Sequence, residues 1–141
     1  MLNFNDYENR IMSFILFSTQ RFREENGEYN SLGIYCCSWA GWIATCFNVS
    51  RTLESTEYSC PDFEYFRYDV LEFNQWQEEY VTDEPIYKLN GAVIDFGKRQ
   101  GDEVLNQFVF EFLSPIISKV KSSVGEPVLL QLLDSTYVKV F

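Results

Sequence analysis

The residues in this chain of 141 with the greatest capacity for chemistry are four cysteines and a crowd of carboxylates. Cys36 and Cys37 are adjacent, while Cys46 and Cys60 stand alone. A tetrahedral zinc site needs paired Cys-x-x-Cys knuckles, which this spacing does not supply. Nor is it the spacing of a disulfide framework, since neighbours on a strand point to opposite faces. The expectation is reduced, mostly buried thiols in a cytoplasmic protein. The chain has no histidine, which removes Ser-His and Cys-His nucleophile pairs and histidine metal sites together. Its seven glycines are scattered and form no phosphate-cradling loop. No window carries the alternating acids, central glycine and final glutamate of a calcium loop. Glu78-Glu79 and Asp83-Glu84 are acid pairs of the kind used in glycoside or phosphate chemistry. Adjacent side chains on a helix or loop splay apart, however, instead of converging. The expectation is no enzymatic activity, no cofactor and no metal.

What remains is a concentration of charge. Residues 54–84 hold ten acids: Glu54, Glu57, Asp62, Glu64, Asp69, Glu72, Glu78, Glu79, Asp83 and Glu84. Arg67 is the one base among them, which leaves a net −9 out of the −10 carried by the whole chain. Eight aromatics are interleaved: Tyr58, Phe63, Tyr65, Phe66, Tyr68, Phe73, Trp76 and Tyr80. A disordered acidic tail would be poor in rings, so this stretch reads as a folded surface. Nucleic acid and anionic membranes are unsuitable partners, because phosphate binding needs Lys and Arg. A basic protein fits: the carboxylates would steer association, and Trp76, Tyr80 or Tyr58 would be anchors. The alternatives are a solvated acidic face that only maintains solubility, and a ring-lined ligand or enzymatic cleft bearing carboxylates.

The elements that must position these side chains follow from hydrophobic spacing. Residues 5–25 read as a helix, with Tyr7, Ile11, Phe14, Ile15, Ser18 and Phe22 on one face and Asn5 and Glu8 spaced as a capping box. Residues 32–37 and 42–49 read as a hairpin closed by 38–41. On its second strand Ile43, Thr45, Phe47 and Val49 form the core-facing set. Residues 50–59 connect to an extended segment at 63–68, and 70–81 reads as a short helix with Phe73, Trp76, Gln77 and Tyr80 on one face. Asn90-Gly91 is the strongest hairpin signal in the chain, flanked by strands at 86–89 and 92–96. A long helix follows over 102–121, with Asp102 as N-cap and Pro115 expected to kink or divide it. Strands at 128–133 and 137–140, joined by a turn at 134–136, finish the chain.

Helices here do not alternate with single strands. The reading is therefore an α+β protein, one globular domain over 1–141. Its mainly antiparallel sheet of hairpins packs against an N-terminal helix and a long helix in the C-terminal half. No run reaches the roughly 18 apolar residues of a membrane helix, and the start of the chain does not read as a signal peptide.

The run IYCCSWAGWIATCFNVS, followed by CPDFEYFRYDVLEFNQWQEEY, resembles a pattern found in small bacterial domains. In that pattern a strand with aromatic ends precedes a Tyr-Phe-Arg-hydrophobic segment and Glu-x-x-x-Trp, here Tyr65-Phe66-Arg67-Tyr68 through Glu72 to Trp76. Such domains occur among the immunity proteins of polymorphic-toxin and contact-dependent inhibition systems. The resemblance spans about residues 32–80. It implies a cytoplasmic inhibitor of one cognate toxin, often a nuclease with a basic groove. It carries over no catalytic residue and leaves the oligomeric state open.

Overall fold

The computed structural model of the protein describes residues 1–95 and 101–141. The chain opens with a short strand, β1 (Leu2–Asn3), and a 3-10 turn, Phe4–Tyr7. Helix α1 (Glu8–Asn26) follows, then strands β2 (Ser31–Cys37) and β3 (Trp42–Asn48). Strand β4 (Tyr65–Glu72) leads to a short helix, α2 (Asn74–Tyr80). Next come β5 (Ile86–Leu89), β6 (Ala92–Asp95) and the long helix α3 (Asp102–Val124). Strands β7 (Val128–Leu132) and β8 (Val138–Val140) end the chain.

The strands form two mixed sheets, mostly antiparallel: β4-β3-β2-β7-β8 and β1-β5-β6. Strands β2 and β3 pair as the expected hairpin, from Ser31 with Asn48 to Cys37 with Trp42. Strand β7 runs parallel to β2, and β8 returns antiparallel to β7. The architecture is α+β, as the element order implies.

Helix α1 buries Ile11, Ile15, Ser18, Thr19 and Phe22 along one stripe. Helix α3 buries a wider one, which includes Leu105, Val109, Phe112, Ile116 and Val120. Both stripes meet the same face of the five-stranded sheet, where Ile34, Ile43, Phe47 and Leu130 join the main core. Phe47 stacks on Phe22 at 4.1 Å between ring centroids. A buried polar pair between α1 and β3 is satisfied, with Ser18 and Thr45 hydroxyls 2.7 Å apart. The expected inward set of β3 holds for Ile43, Thr45 and Phe47, whereas Val49 lies beyond the strand and is exposed.

Several expectations give way. The 70–81 segment is not all helix: β4 continues to Glu72, and helix begins at Asn74. Pairing with β3 decides this, since Val70 lies opposite Ala44, Leu71 opposite Ile43 and Glu72 opposite Trp42. A strand with a partner along its length outweighs a helical spacing carried by four residues. The capping box at Asn5 does not form. The Asn3 side chain accepts from the Asn5 N–H, and the Asn5 amide instead clasps Asn90 through bonds of 2.7 and 3.0 Å. Asn90 and Gly91 both have positive φ, as a tight two-residue hairpin turn requires. Phe96, at the end of the expected flank, lies outside the described residues. Pro115 does not divide α3, because Phe112, Leu113, Ile116 and Ile117 are buried on both sides of it and hold the helix together. The N-cap of α3 is Gly101, and Asp102 lies in the first turn.

Candidate functional site

The acidic stretch folds into three pieces: the 50–64 segment, strand β4, and α2 with the turn that follows it. Each piece places its carboxylates differently.

In the first piece, Glu64 accepts backbone N–H bonds from Val49 at 3.0 Å, Ser50 at 2.6 Å and also from Arg51. Its own N–H donates to the Asn48 side chain at 3.1 Å. The bonds from Arg51, Ser50 and Val49 hold its carboxyl below the usual carboxylate range. Glu64 is therefore a backbone clamp at the root of the loop. Beyond it the chain reverses at Glu57 and Tyr58, both with positive φ. The loop then drops Leu53, Cys60 and Phe63 onto the outer face of the sheet, opposite the helices. Cys60 and Cys46 meet beneath it. The bond from the Cys60 thiol holds Cys46 below the usual thiol range, while burial pushes Cys60 well above it. All four cysteines are free and buried.

In β4, Asp69 pairs with Arg21 at 3.3 Å. The neighbouring Tyr68 hydroxyl donates to Glu25 at 2.5 Å and accepts from Arg21 at 3.2 Å. Between the Tyr65–Phe47 and Asp69–Thr45 pairs the register shifts, and Arg67 has positive φ. This bulge sends Phe66 and Arg67 to one face. Phe66 approaches Tyr35 at 5.9 Å, and the Arg67 guanidinium lies over the Trp42 ring at 4.9 Å.

In the third piece, Trp76 is only 1% exposed. It sits among Phe4, Tyr7 and Phe73 at centroid distances of 5.2–5.7 Å. The expectation of a surface anchor at Trp76 is corrected: its ring is core, packed against Phe4 and Tyr7 of the N-terminal turn and close to Gly41 of the β2–β3 hairpin. Gly41, with positive φ, lets α2 approach the β2–β3 hairpin, and its carbonyl accepts from the Phe73 N–H at 2.6 Å. Tyr80 is half-buried, and its hydroxyl donates to Asp102. That bond, with burial, pushes the phenol up to about 12. Glu79 faces the Met1 amino group at 2.5 Å. With Asp6, Tyr7 and Glu78 it lines an open cleft of about 330 Å³.

Of the expected contact residues, Glu64, Asp69, Glu79 and Tyr80 thus hold internal bonds. Glu54, Glu57, Asp62, Glu72, Glu78, Asp83 and Glu84 are exposed and make no ion pair among the described residues. They do not form one patch in chain order. Glu54, Glu57 and Asp62 ride on the loop over the outer sheet face. Glu72 stands on the same face at the far end of β4, opposite Trp42 in register. Glu78, Asp83 and Glu84 lie on and beyond α2. Among the described residues no cluster of three Cys, Asp or Glu side chains is placed to hold a metal ion.

Sequence reasoning missed the outer face itself. The expected core-facing set of β3 leaves out Trp42, Ala44 and Cys46, yet Ala44 and Cys46 are fully buried and Trp42 is half-buried. The signal was present: WIATCFNV is apolar in both alternating sets, the mark of a strand covered on both sides. No protein-family model matches the chain, and no curated protein or solved structure is found to be similar to it.

Proposed function

We propose that this protein works by binding a basic protein partner, as an immunity protein that neutralises a bacterial toxin domain in the cytoplasm. The observation that carries the reading is the set of seven exposed carboxylates with no internal partner among the described residues, three on regular elements (Asp62, Glu72 and Glu78) and four in the turns beside them. Carboxylates so held concentrate negative potential without the ordering cost of a flexible tail, which accelerates encounter with a basic surface. The resemblance of residues 32–80 to toxin-immunity domains supplies the class of partner. Among the described residues no helix is long and apolar enough to cross a membrane.

The test is association kinetics with a candidate toxin domain across a salt series. Glu57→Gln, Glu72→Gln and Glu78→Gln together should slow association about three- to tenfold at low salt. The charge-matched control Ser118→Lys, Ser122→Lys and Ser123→Lys, on α3, should slow it less. Equal effects from the two triples, or rates indifferent to salt, would show that the acidic surface does not guide binding.

A further inference from the structure

A sheet packed against helices on one face ordinarily turns polar residues outward on the other. Here much of the outward face is apolar, although the polar Gln131 of β7 stands between Tyr35 and Val138 and Tyr35 is itself buried. Phe66 and Val70 on β4, Trp42 on β3, Tyr35 on β2, Leu133 after β7 and Val138 on β8 follow one another across all five strands. Register places them together: Val70 pairs with Ala44, Tyr35 with both Ala44 and Gln131, and Gln131 with Val138. The rings touch, with Tyr35 5.6 Å from Trp42 and 5.9 Å from Phe66. The 50–64 loop covers only part of this face. Phe66 remains 41% and Val138 46% exposed, and Trp42, Val70 and Leu133 are half-buried. Exposed apolar side chains grouped on one face and rimmed by polar groups mark an interaction site.

Its rim is acidic. Glu57 and Asp62 stand on the covering loop, Glu72 on the strip's β4 border, and Asp134 in the β7–β8 turn; burial first, and then Cys60 and Asp134 nearby, raise the Tyr35 phenol. We infer that this outer sheet face is the docking surface, and that its occupant is a basic protein segment presenting an aliphatic or aromatic anchor between flanking Lys or Arg. Charge complementarity selects that occupant. A second copy of this chain would bring the same four carboxylates against themselves, which opposes pairing. Arg67 and Arg51 do not reverse the sign: the Arg67 guanidinium is stacked on Trp42, the Arg51 guanidinium donates to the Asp62 carbonyl at 2.7 Å, and the two are outnumbered at the rim. The carboxylates around α2 lie off this face and contribute only to the long-range field.

This inference rests on the binding reading above, and its test separates the two. The isotope-labelled protein is titrated with a peptide of alternating Lys and Leu, and with an equally charged peptide of alternating Lys and Ser. The Leu-bearing peptide should bind at least about tenfold tighter, since buried leucines add to the common charge term. Its shifts should centre on the Trp42 indole and on the amides of β4, β7 and β8. Phe66→Ser with Val138→Ser, both at exposed positions, should abolish the difference between the peptides while leaving the circular dichroism unchanged. Equal affinity for the two peptides, or shifts confined to Glu78, Asp83 and Glu84, would overturn the inference and leave the acidic-surface reading standing. Absence of salt-sensitive binding by either peptide would overturn both. A dimer in sedimentation that Phe66→Ser dissolves would assign the face to self-association and overturn the inference as well.

Discussion

Glu64→Gln removes one charge from a site where three backbone N–H groups converge. The side chain keeps a carbonyl oxygen, so the bonds from Val49, Ser50 and Arg51 are weakened from charge-assisted to neutral. Hydrogen bonds to an ionised group contribute about 1.5–3 kcal/mol, against about 0.5–1.5 kcal/mol for neutral ones. The site is exposed to solvent, which reduces the difference, so the expected loss is about 1–2 kcal/mol at neutral pH. For a chain of this size that lowers the melting temperature by about 3–8 °C. The pH dependence has a definite sign. The folded carboxyl titrates below its unfolded value of about 4.3. The wild-type advantage is therefore complete above that pH and disappears as pH falls through the lower, folded pKa. Thermal melts of both proteins from pH 7 to pH 3 measure it. Equal stability at pH 7, or a gap that widens on acidification, would refute the clamp. The same substitution distinguishes a clamp from a contact: partner binding by Glu64→Gln should change only through the 50–64 loop, and Glu64→Asp should not restore the melting temperature.

Gly41→Ala should destabilise by at least about 2–4 kcal/mol in urea denaturation. The added Cβ would lie 2.5 Å from both the Phe73 carbonyl oxygen and Trp76 Cβ, at a backbone φ of +72° that disfavours a side chain. Trp76→Ala should cost about 3–5 kcal/mol in the same assay, yet leave the affinity of the folded protein for a partner within about twofold. A large affinity loss with little destabilisation would return Trp76 to the surface. An aromatic disulfide reagent should find no reactive thiol in the folded protein and four after unfolding, because all four cysteines are buried. Rapid labelling under native conditions would contradict that burial.

The parts legible in the sequence are those where local chemistry and global packing agree. Asn90-Gly91 specifies a turn that few other dipeptides make, and it is found where expected. The β2–β3 hairpin, α1 and α3 follow from strong periodicities that tertiary contacts reinforce. Two of the failures share a cause: partners distant in sequence. Val70 and Leu71 carry a helical spacing but are claimed by Ala44 and Ile43 on β3. Asn5 has a capping partner three residues away and is taken by Asn90 instead. The candidate site suffers the same way. Charge density along residues 54–84 is visible at once, but the spending of Glu64 on Val49, Ser50 and Arg51, and of Asp69 on Arg21, is not. Nor is the bulge at Arg67, which decides that Phe66 joins Trp42 and Tyr35 on the outer face.

The parallel pairing of β2 with β7 has a consequence for how the chain is made. Register joins Leu32 to Val128 and Cys36 to Leu132 across most of the sequence. During synthesis the antiparallel β2–β3–β4 unit can assemble as soon as Glu72 has emerged. The other edge of β2, flanked by Ile34, Tyr35 and Cys36, must then wait for nearly the whole remaining chain before β7 arrives to cover it. Closing so long a loop is slow, and an uncovered apolar edge is a template for other strands. The vulnerable moment of this protein thus falls between two halves of one sheet, with the acidic stretch already displayed and its charge repelling other nascent copies while β2 remains open.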